Sequence, residues 1–121
     1  MNKLVGAGSH HEWEVQELRK DREFAIEYAK VAVAGLNDPE ECGGSLLSLR
    51  AIAEACGGLD RVAAQAGISR KSLYRALSPK GNPTLKTLVA VLKTVGLRLS
   101  VAQAPKVRVR RSRAKGDYAA A

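Results

Sequence analysis

One segment of the sequence places basic and hydroxyl side chains in a pattern suited to binding nucleic acid. It runs from Leu59 to Leu77 and reads LDRVAAQAGISRKSLYRAL. A helix-turn-helix needs a small residue where its two helices meet, which Ala63 supplies, and a residue tolerant of positive φ in the turn, which Gly67 supplies. Ile68 and Leu73 supply the apolar contacts. Polar residues then occupy the exposed start of the second helix, the end that enters the major groove of DNA.

The chemistry of these polar residues predicts sequence-specific recognition of double-stranded DNA. Arg70 and Lys71 can each donate hydrogen bonds to guanine O6 and N7. Ser72, Tyr74 and Arg75 can reach bases or phosphates. An ordinary helical hairpin with a solvated polar face is the alternative interpretation of the segment.

Phosphate contacts are expected on either side of this helix. Ser69 is placed to cap it, at a helix N-terminus that itself favours a phosphate. Lys80 and Asn82 lie in the following loop, SPKGNP, and are candidate phosphate contacts.

The net charge of +8 is unevenly distributed along the chain. Residues 1–56 carry ten acidic and six basic side chains, whereas residues 57–103 carry eight basic and one acidic side chain. Residues 104–121 add six basic side chains and one acidic side chain. A one-sided basic surface attracts a polyanion through counterion release. A basic face that is merely solvated is the alternative, and charge alone does not decide between them.

The sequence predicts neither an enzyme nor a cofactor or metal site. His10 and His11 lie near an end that is expected to be frayed, and no glycine-rich phosphate loop is present. Cys42 and Cys56 have no Cys or His at metal-ligand spacing, which favours reduced thiols, with a disulfide as the alternative. Without a signal-peptide core or an apolar run near the ~20 residues of a membrane span, we expect a cytoplasmic protein with no membrane contact. DNA binding would associate it with the nucleoid.

Helical periodicity of apolar residues extends over most of the chain. We expect helices over about 11–20, from an Asp21 cap to Gly35, from Asp38-Pro39 to about Gly57, over 59–66, from Ser69 to Leu77, and over 84–95. Gly43-Gly44 leaves open whether residues 38–56 form one helix or two.

Particular apolar side chains are expected to face the core. In helix order they are Trp13 and Leu18; Phe24, Tyr28, Val31 and Ala32; Leu46, Leu49, Ala53 and Cys56; and Leu85, Leu88, Val89 and Leu92.

The period changes after Gly96, where apolar and polar residues alternate. Leu97, Leu99 and Val101 share one face of a predicted strand. Such a strand needs a partner, which is either the same strand of a second subunit or residues 106–110. The basic residues after Pro105 have two open interpretations, as added phosphate or minor-groove contacts or as a solvated tail.

Residues 57–101 resemble a known family through SRKSLYRALS (69–78), GNP (81–83) and LRLSV (97–101). They are similar to the addiction-module antidote proteins, a HigA-like antitoxin branch of the Xre/Cro/CI helix-turn-helix superfamily. The resemblance implies an all-α, five-helix-type DNA-binding domain with a C-terminal strand used in dimer pairing. It further implies a bacterial antitoxin that represses its own operon as a homodimer and neutralises a RelE/HigB-like toxin.

Four regions follow from these patterns. They are a flexible N-terminus (1–10), N-terminal helices that contact a toxin or a second subunit (11–56), the helix-turn-helix domain with its strand (57–103), and a basic flexible tail (104–121). A stand-alone, prophage-type repressor without a toxin is one alternative function. A module whose basic tail binds RNA or an acidic partner is another.

Overall fold

The computed structural model describes residues 7–105 of the chain. Within them α3 packs against α1 and α2, while α4 packs against α5 and α6; α3 also meets α4 and α6. The predicted all-helical class is confirmed. The helices within the described residues are α1 (Ala7–Lys20), α2 (Arg22–Gly35), α3 (Cys42–Cys56), α4 (Leu59–Ala66), α5 (Arg70–Ala76) and α6 (Leu85–Lys93).

The face that α2 turns toward the core differs from the predicted one. Small residues face inward, because Ala25, Ala29 and Ala32 are at most 4% exposed. Phe24 and Val31, which we expected in the core, are 38% and 71% exposed. Alanines let the α2 backbone approach α3 closely, since they add little volume between two helices. Phe24 and Val31 therefore lie on the outer side of the helix, whereas Tyr28 is partly buried against the core.

In α1 and α6, one residue that was predicted to face the core is exposed to solvent instead. Trp13 is 54% exposed and stacks on His10, while Val15 takes its place in the core of α1 beside Leu18. In α6 the predicted core residue Leu85 is 68% exposed, and Val91 is fully buried instead. The predicted core residues Leu18 of α1 and Leu92 of α6 are buried, so the predicted face is confirmed in part in each helix.

Residues 38–41 form a turn and not the first turn of a helix, which corrects the prediction from Asp38-Pro39. The Asp38 carbonyl accepts hydrogen bonds from the amides of Glu41 and Cys42, both at 2.9 Å. Its carboxylate accepts one from the Glu40 amide, also at 2.9 Å. Asp38 thus satisfies backbone donors locally, as Asp commonly does in turns. Helix α3 then begins at Cys42 and contains Gly43-Gly44, so the region holds a single helix.

Both cysteines are free thiols, at the two ends of α3. A rise of about 1.5 Å per residue separates their Cα atoms by roughly 21 Å, three times the span of a disulfide. The disulfide alternative between Cys42 and Cys56 is therefore wrong. Burial raises the pKa of the Cys56 thiol, although Arg22 and Arg19 act in the opposite direction.

A polar cluster joins α1 to the two helices beneath it. His11 Nε2 lies 2.5 Å from Glu54 Oε1 of α3, and the Tyr28 hydroxyl of α2 donates to the Glu14 carboxylate. Burial raises the pKa of Glu14, while the charges of His10 and His11 oppose that shift. These contacts tie together three helices whose shared core is otherwise apolar.

Residues 97–105 form neither helix nor strand in the single chain, so the predicted strand is not formed within the described residues. Leu97 and Leu99 are half-buried, whereas Val101 is 95% exposed. The alternative partner strand, residues 106–110, lies outside the described part, as does most of the basic tail. Pairing of this segment between two copies remains a proposal.

Candidate nucleic-acid interface

The turn between α4 and α5 has the conformation that the sequence predicts. Gly67 is left-handed, with φ of 74° and ψ of 28°. The Ile68 amide donates to the Ala63 carbonyl at 3.0 Å, which closes the end of α4. Ser69 then caps α5, because its hydroxyl accepts the Ser72 amide at 3.0 Å. The two helices with this turn are compatible with a helix-turn-helix.

Helix α5 is anchored by one apolar edge and presents its polar edge to solvent. Leu73 in the helix and Leu77 at its end are fully buried. Polar side chains on the other faces are exposed, and Tyr74 among them retains half of its surface. All the predicted contact residues are therefore accessible: Ser69, Arg70, Lys71, Ser72, Tyr74, Arg75, Lys80 and Asn82.

Four of these residues converge on one cleft between α5 and the loop that follows it. The cleft has a volume of about 410 Å³ and is lined by Ser72, Arg75, Lys80 and Asn82. The loop can approach α5 only because position 81 is glycine, where a Cβ atom would collide with the Ala76 carbonyl. Two cations and two neutral hydrogen-bonding groups around one concavity suit a phosphate group.

The other predicted contacts lie toward the start of α5, outside this cleft. Arg70 Nη1 is 3.3 Å from Asp60 Oδ1, in an ion pair that bridges α4 and α5. Both side chains are more than half exposed, and pairs of this kind contribute about 0–1 kcal/mol. The guanidinium can therefore leave Asp60 for a base or phosphate at small cost. Lys71 and Arg75 lie four residues apart and share one helix face.

Arg50 of α3 is a residue at this surface that sequence reasoning missed. Its guanidinium carbon lies 3.7 Å from the centroid of the Tyr74 ring. Its Nη2 donates to the Ser78 hydroxyl at 2.9 Å, and that hydroxyl donates to the Tyr74 carbonyl at the same distance. Arg50 therefore supports the end of α5 from beneath. The signal available in the sequence was a single cation within the apolar run LLSLRAIA.

Lys86 of α6 was also not predicted. Its Nζ lies 3.3 Å from where a Cβ atom on Gly67 would stand, so the amine sits beside the turn of the motif. Thr84 caps α6 by accepting the Thr87 amide at 3.1 Å. Helix α6 thereby adds a cation to the surface formed by α4 and α5.

The predicted dimer residues Leu97 and Leu99 line a separate, mostly apolar groove of about 320 Å³. Its opposite wall is formed by Ala29 and Val33 of α2. Val101 is not part of this groove. In the described residues 7–105, no helix combines the length and apolar composition needed to cross a bilayer. No cluster of three His, Cys, Asp or Glu side chains suited to a metal occurs there either.

Fold and surface together define a small helical protein with a basic helix-turn-helix-like face. Over residues 10–103 the chain matches a family described as "Probable addiction module antidote protein". The chain belongs to that family, whose description indicates an antitoxin role. The antidote resemblance seen in the sequence is thereby confirmed.

An uncharacterized protein of Haemophilus influenzae is 47% identical over 45 residues, which cover 37% of this chain and 46% of the relative. The match thus spans less than half of the relative's length. No solved structure matches this chain.

Proposed function

We propose that this protein is the antitoxin of a type II toxin–antitoxin system. In this proposal it binds the operator of its own operon as a homodimer, represses transcription and neutralises a RelE/HigB-like toxin. The convergence of Ser72, Arg75, Lys80 and Asn82 on one cleft beside α5 is the observation that carries DNA binding. Membership of an antidote family supports the proposal that the chain has a toxin as its partner.

The chemistry divides the surface into two functions. Arg75, Lys80 and Lys86 neutralise phosphates, while Ser72 and Asn82 donate hydrogen bonds to them, and together these contacts fix the orientation of the domain on the duplex. Arg70 and Lys71, near the start of α5, read base edges in the major groove. A single helix-turn-helix reads only a few base pairs, so two copies related by two-fold symmetry would bind a palindromic site. Leu97, Leu99 and Val101 are the proposed strand between the copies.

Operator binding is tested by titrating DNA from upstream of the gene with the full chain and following fluorescence anisotropy. Replacing both Arg75 and Lys80 with alanine should weaken binding to all sequences and flatten its dependence on salt. Arg70→Ala should reduce the free energy of binding to the operator by about 1–3 kcal/mol, without a comparable loss for other DNA sequences. Lys20→Ala is the matched control, since Lys20 lies on α1 and pairs with Glu17. Equal operator and random-sequence affinities in the parent protein would refute specific recognition.

Toxin neutralisation is tested by co-expression with the product of the adjacent open reading frame. The proposal expects that product alone to arrest growth and this chain to restore growth and co-purify with it. A stand-alone repressor is the second candidate, because the α4–α5 surface requires no toxin to bind DNA. A harmless neighbour, combined with specific operator binding, would favour that second candidate.

A further inference from the structure

The outer side of α2 carries an apolar stripe that the described chain covers only in part, at Tyr28, whose hydroxyl donates to Glu14 of α1. Phe24, Tyr28 and Val31 follow one another at spacings of four and three residues, and therefore share a helix face. The Phe24 and Tyr28 rings pack with centroids 5.4 Å apart. Val31, at the end of the stripe, is 71% exposed and leaves most of its apolar surface in contact with solvent.

This stripe borders a groove between α2 and α3 that has acidic walls. The groove has a volume of about 360 Å³ and is lined by Tyr28, Val31, Glu40 and Glu41, among others. Its α3 side presents Ser45 and Ser48, which offer hydroxyl groups. Within the described residues, neither Glu40 nor Glu41 forms an ion pair. Both carboxylates are exposed at the groove.

The charge and shape of the groove restrict what can occupy it. Two carboxylates repel nucleic acid, so this surface does not extend the DNA-binding face. Two copies meeting through the same groove in an isologous contact would bring their carboxylates together, which is unfavourable. An apolar floor with an acidic rim is complementary to a segment that carries both apolar and basic side chains.

We propose that the α2–α3 groove, with the stripe beside it, is the docking surface for a basic, partly apolar segment of a protein partner. This inference rests on the proposed antitoxin function and identifies the partner as the toxin. Val31 and the two rings provide the apolar contact, while Glu40 and Glu41 select for Lys and Arg at the rim. The site lies on different helices from α5, so both surfaces remain accessible on one chain.

The test measures binding of the full chain to the co-expressed product of the adjacent open reading frame. Val31→Lys should weaken binding at least about tenfold, because it places a charge in the apolar centre of the contact. Leu85→Lys is the matched control, since Leu85 is 68% exposed on α6. Glu40→Gln with Glu41→Gln should slow association and lower its salt dependence. Glu12→Gln with Glu17→Gln, on α1, is the control for that loss of charge.

Each result bears on the proposal. Parent-like binding by Val31→Lys and by the double Gln variant, with neutralisation intact, would overturn the groove assignment while leaving the antitoxin function standing. Failure of the parent protein to bind the neighbour would overturn both. Two other results would also overturn the groove assignment. Dissociation of a homodimer by Val31→Lys would identify a second copy as the occupant. Partner binding that becomes about tenfold tighter when residues 106–121 are removed would identify the chain's own tail as the occupant. Circular dichroism checks that every variant is folded.

Discussion

Replacing Arg50 with methionine tests whether α3 holds α5, the proposed DNA-binding helix, in place. Methionine keeps the apolar stem of the side chain but removes the charge that lies 3.7 Å from the Tyr74 ring and the hydrogen bond to Ser78. A hydrogen bond from a charged donor contributes about 1.5–3 kcal/mol, and a partly exposed cation–π contact about 0.5–1 kcal/mol. Against this, Arg50 Nε is buried without a partner in the described structure, which costs about 1–3 kcal/mol.

The central values of these contributions differ by about 1 kcal/mol, which is the expected loss in the free energy of unfolding. For a domain of this size, such a loss lowers Tm by roughly 4–8 °C. We expect operator affinity to fall as well, because Tyr74 and the end of α5 lose their support. Chemical denaturation and DNA anisotropy titrations measure the two effects on the same samples.

Two comparisons distinguish this positioning role from a direct contact between Arg50 and DNA. A positioning residue leaves the slope of log affinity against log salt unchanged, whereas a lost phosphate contact lowers it by about one. Arg50→Met and Tyr74→Ala should also be non-additive in DNA binding, since the two side chains touch. Arg50→Lys should restore the charge but not the planar stacking. Parent-like stability of Arg50→Met, together with additive effects on DNA binding, would refute the reasoning.

Three further predictions concern the turn, the cap and the buried carboxyl. Gly67→Ala should destabilise the fold by about 1 kcal/mol, because the residue has a φ of 74°. Gly44→Ala should be neutral or stabilising, because Gly44 lies in the open part of α3. Equal melting points of the two variants would contradict this prediction. Ser69→Ala should cost about 1 kcal/mol through loss of the α5 cap, and Ser69→Asp should recover most of it in the same denaturation assay. The pKa of Glu14 is raised by burial, so its stabilising contribution is complete below the unfolded-state pKa near 4.5 and is lost as pH rises through the folded-state pKa. The Tm of Glu14→Gln minus the Tm of the parent should therefore increase as pH rises from 4 to 7. A difference that stays constant over this range would contradict the prediction.

The candidate interface was the most predictable part of the molecule, because short-range chemistry determines it. A positive φ at Gly67, a hydroxyl cap at Ser69 and inward leucines at 73 and 77 each depend on residues within one or two helical turns. These local requirements can be recognised directly from the sequence. The structure then places Ser72, Arg75, Lys80 and Asn82 around one cleft. The contacts of these residues with DNA remain predictions.

The face of α2 was not predictable from the same kind of pattern. Two stripes compete on this helix, one of alanines (25, 29 and 32) and one of larger residues (24, 28 and 31), and the hydrophobic pattern favoured the second together with Ala32. The spacing between α2 and α3 decides in favour of the first, and that spacing is a property of the packed pair. Arg50 was missed for a related reason, since its partners Tyr74 and Ser78 lie 24 and 28 residues away.

The position of the core also determines how the two proposed binding surfaces can be separated by experiment. Deleting residues 1–35 would remove much of the acidic N-terminal part, but α1 and α2 are the main packing partners of α3, whose Leu46, Leu49 and Ile52 are fully buried. Exposing three such side chains costs about 1.5–3 kcal/mol each, comparable with the whole stability of a small domain. We therefore expect the truncated chain to lose its cooperative thermal transition and DNA binding together with partner binding. Retention of operator binding by that fragment would show that α3–α6 fold without α1 and α2. Point substitutions at Val31 and Arg75 leave this core intact, and they can change one proposed interaction at a time.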